Sequence, residues 1–212
     1  MSKSRAIIFD LDGTLWDATK GITAAWQQVL RGEGIGVTLT REAVMGCMGL
    51  PMDEIFLRLL PNIGDDARTE IQQKCQQYEN EYLSLHGGTL YPNVERTLDL
   101  LKNSGYDLYI VTNSQDGYVE AFLGSMNLEK YFTDYEMFGR TGLLKAENIR
   151  LVMARNGIDN AVYVGDAQGD YDSAKTARIP FIYAKYGFGT VADFKYSVDK
   201  FDELQSAVCD VI

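Results

Sequence analysis

Two aspartates separated by one leucine, Asp10 and Asp12, follow an apolar run at positions 6–9. This order predicts a buried strand that ends in two carboxyl groups, and Gly13 and Thr14 then predict a sharp turn. Burying a carboxylate without a partner costs several kcal/mol. We therefore expect a positively charged group to lie beside Asp10 and Asp12.

Further polar side chains follow two other apolar runs, at 108–111 and 161–164. Thr112 and Asn113 come directly after the first run, and Asp166 ends the strand predicted from the second. The carboxyl ends of parallel strands form the edge of an open α/β sheet at which ligands bind. We therefore expect these side chains to meet at that edge.

Lys145 precedes a predicted helix that would also reach this edge, and Asp170 lies one helical turn beyond Asp166. Such a set suits phosphoryl transfer, because Mg²⁺ takes one or two carboxylates together with phosphate oxygens and water. Asp10 and Asp166 can supply those carboxylates, and one carboxylate can act as nucleophile through an aspartyl-phosphate. The groups expected to hold the oxygens of the transferring phosphoryl group are Thr112, Asn113 and Lys145.

The elements that must position these residues are short apolar runs alternating with helical patterns. Runs at 6–9, 108–111, 161–164 and 181–184 suit strands buried on both faces. Helical spacing between them places Val94, Leu98 and Leu101 on one face, and the same pattern recurs at Ile149, Val152 and Met153. The alternation predicts an α/β fold with a doubly wound, Rossmann-like parallel sheet.

Residues 18–86 break this alternation, because they show helical patterns and no convincing strand. One helix is predicted within 22–32 and another within 51–60, with Pro51 at its first position. A third within 66–85 carries apolar residues at helical spacing, namely Ile71, Cys75, Tyr78 and Tyr82. We therefore predict a core domain of residues 1–17 and 88–212 and an inserted helical cap domain of residues 18–87.

The segments "DLDGT", "VTNS" and "GDAQGDYDSA", with Lys145 between the last two, resemble the four motifs of haloacid dehalogenase-like phosphatases. The helical insert resembles the type 1 cap of that family, and the whole chain is similar to its phosphoglycolate-phosphatase-like branch. The resemblance implies a Mg²⁺-dependent phosphatase that acts on a small phosphorylated metabolite. Ala167 is a departure, since relatives often carry Thr there.

The resemblance also implies a role for each residue. Asp10 would be the nucleophile and a metal ligand, and Asp12 would be the general acid and base, with its backbone carbonyl on the metal. Thr112, Asn113 and Lys145 would bind the phosphoryl group. The remaining metal residues would be Asp166, as a direct ligand, and Asp170, directly or through water.

Composition excludes several other classes. The 212 residues carry a net charge of -10, which disfavours a nucleic-acid partner because such binding needs neutralising Lys and Arg. Three scattered cysteines fit reduced thiols, and the apolar run near the N-terminus is too short for a signal peptide or a membrane span. We expect a cytoplasmic protein without a membrane partner, either a monomer or a weak homodimer.

Two other functions stay open at this point. A phospho-accepting receiver domain also uses strand-end aspartates, but the insert and the order of "DLDGT" disfavour it. A phosphomutase of the same superfamily would be expected to carry a basic residue in the cap loop, which here reads "GCMGLP" at 46–51. That loop could face the substrate, whereas Trp16 and Trp26 are predicted to pack at the junction of the insert.

Overall fold

The computed structural model describes residues 5–212, so the first four residues of the predicted core segment 1–17 lie outside it. Its main feature is a sheet of six parallel strands in the order β5-β4-β1-β6-β7-β8. The strands are β1 (Arg5–Phe9), β2 (Trp16–Asp17), β3 (Thr89–Leu90), β4 (Tyr106–Thr112), β5 (Phe132–Met137), β6 (Asn160–Gly165), β7 (Phe181–Ala184) and β8 (Tyr196–Val198). The small strands β2 and β3 form a separate antiparallel pair.

Strand β1 lies at the centre of the sheet, between β4 and β6. Its last residue, Phe9, is in register with Ile110 of β4 and Val164 of β6. The three strands therefore end within two residues of the same level, and the residues that follow them lie near one another. This register places the predicted site at a single edge of the sheet, as expected for the doubly wound fold.

Helices cover both faces of this sheet. They are α1 (Thr19–Gly32), α2 (Arg41–Met45), α3 (Met52–Leu59), α4 (Asp65–His86), α5 (Val94–Asn103), α6 (Tyr118–Met126), α7 (Phe138–Thr141), α8 (Lys145–Asn156), α9 (Gln168–Ala177) and α10 (Leu204–Ala207). On one face, Ile8 packs in a buried cluster with Ile149 of α8 and Ala174 of α9. On the other, Phe9 shares a cluster with Leu98 of α5 and Phe122 of α6. The predicted α/β class is confirmed.

Helices α1 to α4 form the insert between β2 and β3. Trp16 pairs with Leu90 and Asp17 with Thr89, so the chain leaves and re-enters the core along one antiparallel ribbon. No strand occurs within residues 18–86, in agreement with the sequence. The division into a core of 1–17 and 88–212 and a cap of 18–87 stays a prediction.

One local expectation for the insert was wrong. Pro51 is the residue before α3 rather than its first residue, because its extended ψ of 145° leaves the helix to begin at Met52. In α4, Tyr78 and Tyr82 are only half-buried. The buried face instead repeats every four residues, through Ile71, Cys75, Glu79 and Leu83. None of the helices within residues 5–212 is long and apolar enough to cross a membrane.

Candidate active site

Three buried carboxylates meet at the carboxyl edge of the sheet. Asp10 directly follows β1, Asp166 directly follows β6, and Asp170 lies in the first turn of α9. One carboxylate oxygen from each lies within 4.8 Å of those from the other two. The structure therefore brings together three of the four residues that were predicted to bind the metal ion, namely Asp10, Asp166 and Asp170.

Lys145, the first residue of α8, is the cation of this cluster. Its Nζ donates to Asp10 Oδ1 at 2.9 Å and to Asp170 Oδ1 at 2.6 Å. The two carboxylates hold the pKa of the Lys145 ammonium above its usual value, despite burial. Burial and the nearby Asp170 raise the pKa of Asp10 to about 6, although Lys145 acts in the opposite direction. One ammonium thus offsets only part of the negative charge.

Asp166 is held by backbone groups from a loop that follows β7. The amides of Phe188 and Gly189 donate to its Oδ2 at 2.8 and 3.0 Å, and Thr14 Oγ1 donates to Oδ1 at 3.3 Å. This loop belongs to the Gly-rich segment "GFGTVA" at 187–192. Burial, with Asp170 and Asp10 nearby, raises the pKa of Asp166 to about 8. The Gly-rich segment therefore positions the carboxylate of Asp166.

Asp170 has a second role, because it closes the turn between β6 and α9. Its Oδ2 accepts the backbone amides of Asp166 at 3.1 Å and of Ala167 at 3.0 Å, and the residue is 1% exposed. Gly165 is required for this approach, since a Cβ there would lie 2.6 Å from the Asp170 carboxylate carbon. Ala167 thus contributes its backbone amide to the site, but its side chain lacks the hydroxyl group that a Thr at this position would supply.

Asp12 lies on the same loop as Asp10 but outside the three-carboxylate cluster. Tyr118, in the first turn of α6, donates its hydroxyl to Asp12 Oδ1 at 2.8 Å. Asp12 is half-buried and borders a narrow cavity, and the loss of hydration there raises its pKa to about 8. Asp12 is therefore predominantly protonated near neutral pH in the metal-free site, which suits a proton donor.

Thr112 and Asn113 end β4 beside this cluster. Thr112 is buried, and both residues line the cavity that also contains Asp10 and Lys145. Asn113 Nδ2 donates to the backbone oxygen of Gly49 at 3.2 Å. The sheet edge is therefore hydrogen-bonded to the insert through the loop that the sequence suggested could face the substrate.

A narrow cavity lies between the sheet edge and the insert. The insert supplies an apolar wall that consists of Ile22, Trp26, Met48, Leu50, Met52 and Ile55. The sheet edge and neighbouring loops supply polar groups, namely Asp10, Asp12, Thr112, Asn113, Ser114, Gln115 and Lys145. This mixture of apolar and polar groups suits a small polar molecule with a compact apolar part.

Sequence reasoning missed four residues of this cavity: Glu79, Gln115, Ser114 and Tyr118. Trp26 was assigned to packing at the junction, and it lines the cavity as well. Glu79 gave a weak signal, because it occupies the position one turn after Cys75 in a helix whose other buried residues are apolar. An acidic residue at such a position is usually solvated, so its burial is visible only in the structure.

The donor set fits a hard divalent cation. Asp10, Asp166 and Asp170 present oxygen atoms alone, they are buried, and a single ammonium accompanies them. Buried like charges at this separation oppose ionisation of one another unless a cation lies among them. The residues present are therefore suited to hold such an ion, although its identity does not follow from the geometry.

Comparison with known proteins agrees with this geometry. Residues 7–184 match the model of the family described as haloacid dehalogenase-like hydrolase. The chain is 31% identical to the probable phosphatase IndB of Dickeya dadantii, over 95% of this chain and 92% of that protein. It is 29% identical to the phosphoglycolate phosphatase of Salmonella typhimurium, over 87% and 82% of the two chains.

A solved structure is also similar over the full length. It is the crystal structure of a predicted phosphatase from Clostridium acetobutylicum, with 27% identity and a TM-score of 0.81. The match covers 99% of this chain and 100% of that one. The similarity therefore includes the helical insert as well as the sheet.

Proposed function

The chain belongs to the haloacid dehalogenase-like hydrolase family, and from this premise we propose that it hydrolyses small phosphate monoesters through an aspartyl-phosphate in a Mg²⁺-dependent reaction. The phosphatase names of its relatives support the reaction class. The observation that carries the proposal is the convergence of Asp10, Asp166 and Asp170 around Lys145, beneath a cavity that the insert covers.

The first step forms a bond between a carboxylate oxygen of Asp10 and the phosphorus atom. The phosphorus–oxygen bond to the leaving group breaks, and the carboxyl of Asp12 gives its proton to the departing oxygen. Asp12 is suited to this role because burial raises its pKa above the ordinary value and Tyr118 holds its carboxyl group in place. Thr112, Asn113 and Lys145 hold the phosphoryl oxygens and offset their charge.

The second step returns the enzyme to its initial state. The ionised Asp12 takes a proton from a water molecule, whose oxygen attacks the phosphorus atom, and the bond from phosphorus to Asp10 breaks. Inorganic phosphate leaves. The insert limits the access of bulk water, which strengthens the electrostatic interactions within the cavity.

The carboxylates of Asp10, Asp166 and Asp170, together with the backbone carbonyl of Asp12, would hold the Mg²⁺ ion. When bound, the ion would neutralise the carboxylates and stabilise the charge that develops on the phosphoryl group. Family membership removes the receiver-domain alternative. A phosphomutase must hold a second phosphate, yet among the described residues that line the cavity Lys145 alone is basic, which favours a hydrolase.

The proposal is tested with purified protein and 4-nitrophenyl phosphate, in Mg²⁺ and in excess chelator. We expect activity to disappear in chelator and to return with added Mg²⁺. Asp166→Asn should reduce activity at saturating Mg²⁺, whereas Asp172→Asn, which changes an exposed aspartate on α9, should not. Full activity in chelator would overturn the metal dependence.

A further inference from the structure

Glu79 is a buried carboxylate on the insert side of the cavity. It lies on α4, is 2% exposed, and lines the same cavity as Asp10 and Lys145. The proposed chemistry leaves it without a role, because it is absent from the three-carboxylate cluster. A buried ionisable group that costs free energy and lines a binding cavity is a candidate for a function in recognition.

Neutral donors hold Glu79 in place. Trp26 Nε1 donates to its Oε2 at 2.5 Å, and Gln115 Nε2 donates to its Oε1 at 3.0 Å. Burial raises its pKa to about 7, and both hydrogen bonds act in the opposite direction. Among the ion pairs within residues 5–212, none involves Glu79. Its charge is therefore not compensated by a cation, but its orientation is fixed.

The charges around the cavity limit what can bind there. Its one basic side chain among the described residues, Lys145, is already shared by Asp10 and Asp170. A carboxylate on the leaving group would therefore meet the Glu79 carboxylate without a basic partner, and like charges brought together at a buried contact disfavour binding strongly.

A neutral hydroxyl group would instead find partners. Each carboxylate oxygen of Glu79 accepts one hydrogen bond and has a further lone pair. Ser114 also lines the cavity, and its hydroxyl oxygen is buried without a hydrogen-bond partner among the described residues. An unsatisfied buried hydroxyl of this kind points to a polar ligand group as its partner.

We infer that Glu79 is a specificity-determining residue, which favours a neutral, hydroxyl-bearing leaving group and disfavours one that carries a carboxylate. The inference rests on the proposed phosphatase function and adds a substrate class to it. It separates this chain from the substrate named for the Salmonella relative, phosphoglycolate, whose leaving group carries a carboxylate.

The test compares 2-hydroxyethyl phosphate with 2-phosphoglycolate, which share the carbon–oxygen–phosphorus linkage and differ in the group at the far end. Assays at pH 8, above the pKa of Glu79, keep this carboxylate charged. We expect wild-type kcat/KM to be at least about tenfold higher for the hydroxyl ester, as like-charge contacts imply. A ratio of one or below overturns the inference, and this readout needs no variant.

Glu79→Gln, which keeps the size of the side chain and removes its charge, should lower that ratio toward one by improving KM for 2-phosphoglycolate. Glu81→Gln, an exposed residue on the same helix, is the matched control and should leave the ratio unchanged. Circular dichroism spectra of both variants serve to check that they are folded. An unchanged ratio in Glu79→Gln also overturns the inference. If neither ester nor 4-nitrophenyl phosphate is hydrolysed, the proposed function itself fails.

Discussion

Asp10 and Asp12 are two positions apart and have different surroundings. Asp10 Oδ1 accepts from the ammonium of Lys145, while Asp12 Oδ1 accepts from the neutral hydroxyl of Tyr118. The pKa of Asp10 is therefore raised only to about 6, and that of Asp12 to about 8. Two carboxyl groups whose pKa values are separated in this way can serve as nucleophile and proton donor in one site.

The variants Asp10→Asn and Asp12→Asn separate these roles. Asp10→Asn should abolish turnover, because the nucleophilic oxygen is lost. Asp12→Asn should lower hydrolysis by about 10²–10⁴-fold, the usual contribution of general acid–base catalysis, and by less with an aryl phosphate. Intact mass measured after a pulse of 4-nitrophenyl phosphate should show a phosphoenzyme in Asp12→Asn. Phosphate on Asp10→Asn would contradict the assignment of the nucleophile.

Gly13 is a second residue on which the site depends. Its φ is +83°, and a Cβ there would lie 2.4 Å from Asp166 Oδ2. Gly13→Ala should therefore destabilise the fold and displace Asp166, with loss of activity. Gly142→Ala is the control that separates backbone strain from the close approach to Asp166, since Gly142 has a φ of +68° and open space around it.

We expect Gly142→Ala to cost about 1–2 kcal/mol, the penalty for a left-handed backbone, without loss of activity. Gly13→Ala should cost more than this in urea unfolding and should lose most of its phosphatase activity. Equal stability and activity in the two variants would show that the approach to Asp166 is unimportant.

At the scale of elements, the sequence predicted the interior strands and missed the outer ones. Strands β1, β4, β6 and β7 have neighbours on both sides and read as continuous apolar runs. Strand β5 pairs with β4 alone and contains Thr133 and Asp134, so it lacks an apolar run. An edge strand of this kind is specified by its pairing with a neighbouring strand rather than by its own composition. A short window of sequence contains no information on that pairing.

The residues of the candidate site also divide into those that the sequence predicts and those that it does not. Asp10, Asp166, Thr112 and Asn113 were predictable, because strand ends in a parallel sheet must share one edge. Glu79 and Gln115 were not, because their meeting depends on how α4 of the insert packs against the loop after β4. That packing is fixed by contacts distant in sequence, such as Asn80 Nδ2 to the backbone oxygen of Asp116 at 2.8 Å.

Asn80 joins α4 to this loop through two hydrogen bonds, since its Oδ1 also accepts from Gln115 Nε2 at 3.1 Å. Asn80→Ala should loosen the insert, because each bond contributes about 0.5–1.5 kcal/mol. We predict hinges of the insert at 17–20 and 84–91, where Gly87 and Gly88 can absorb a change of backbone angles. Asn80→Ala should speed amide exchange at these hinges and raise KM several-fold, with a smaller change in kcat.

Asn103→Ala is the matched control, because this exposed Asn bonds only within α5, to Asp99. It should leave hinge exchange and KM unchanged. A phosphate analogue should slow exchange at both hinges in the wild type, as expected for an insert that closes over the site. Unaltered exchange in both experiments would mean that the insert does not move during turnover.

At the scale of the whole molecule, the site concentrates several of the acidic residues of a chain whose net charge is -10. The pKa of Asp10 is raised to about 6, and those of Asp12 and Asp166 to about 8, from an ordinary value of 3.8. Between the ordinary and the raised values, the folded metal-free protein holds protons that the unfolded chain has released. The contribution of these three groups to the free energy of unfolding should therefore fall as pH rises from 3.8 to about 8.

Mg²⁺ should reverse this trend, because protons and the ion compete for the same carboxylates. We expect Mg²⁺ to raise the melting temperature more at pH 8 than at pH 5.5. At a concentration one hundred times its dissociation constant, a ligand stabilises the folded state by about 2.7 kcal/mol. Thermal unfolding in Mg²⁺ and in chelator at both pH values measures the effect. Asp166→Asn should lose most of the gain at pH 8, whereas Asp172→Asn should keep it. An equal gain at the two pH values would show that Mg²⁺ binds away from these carboxylates.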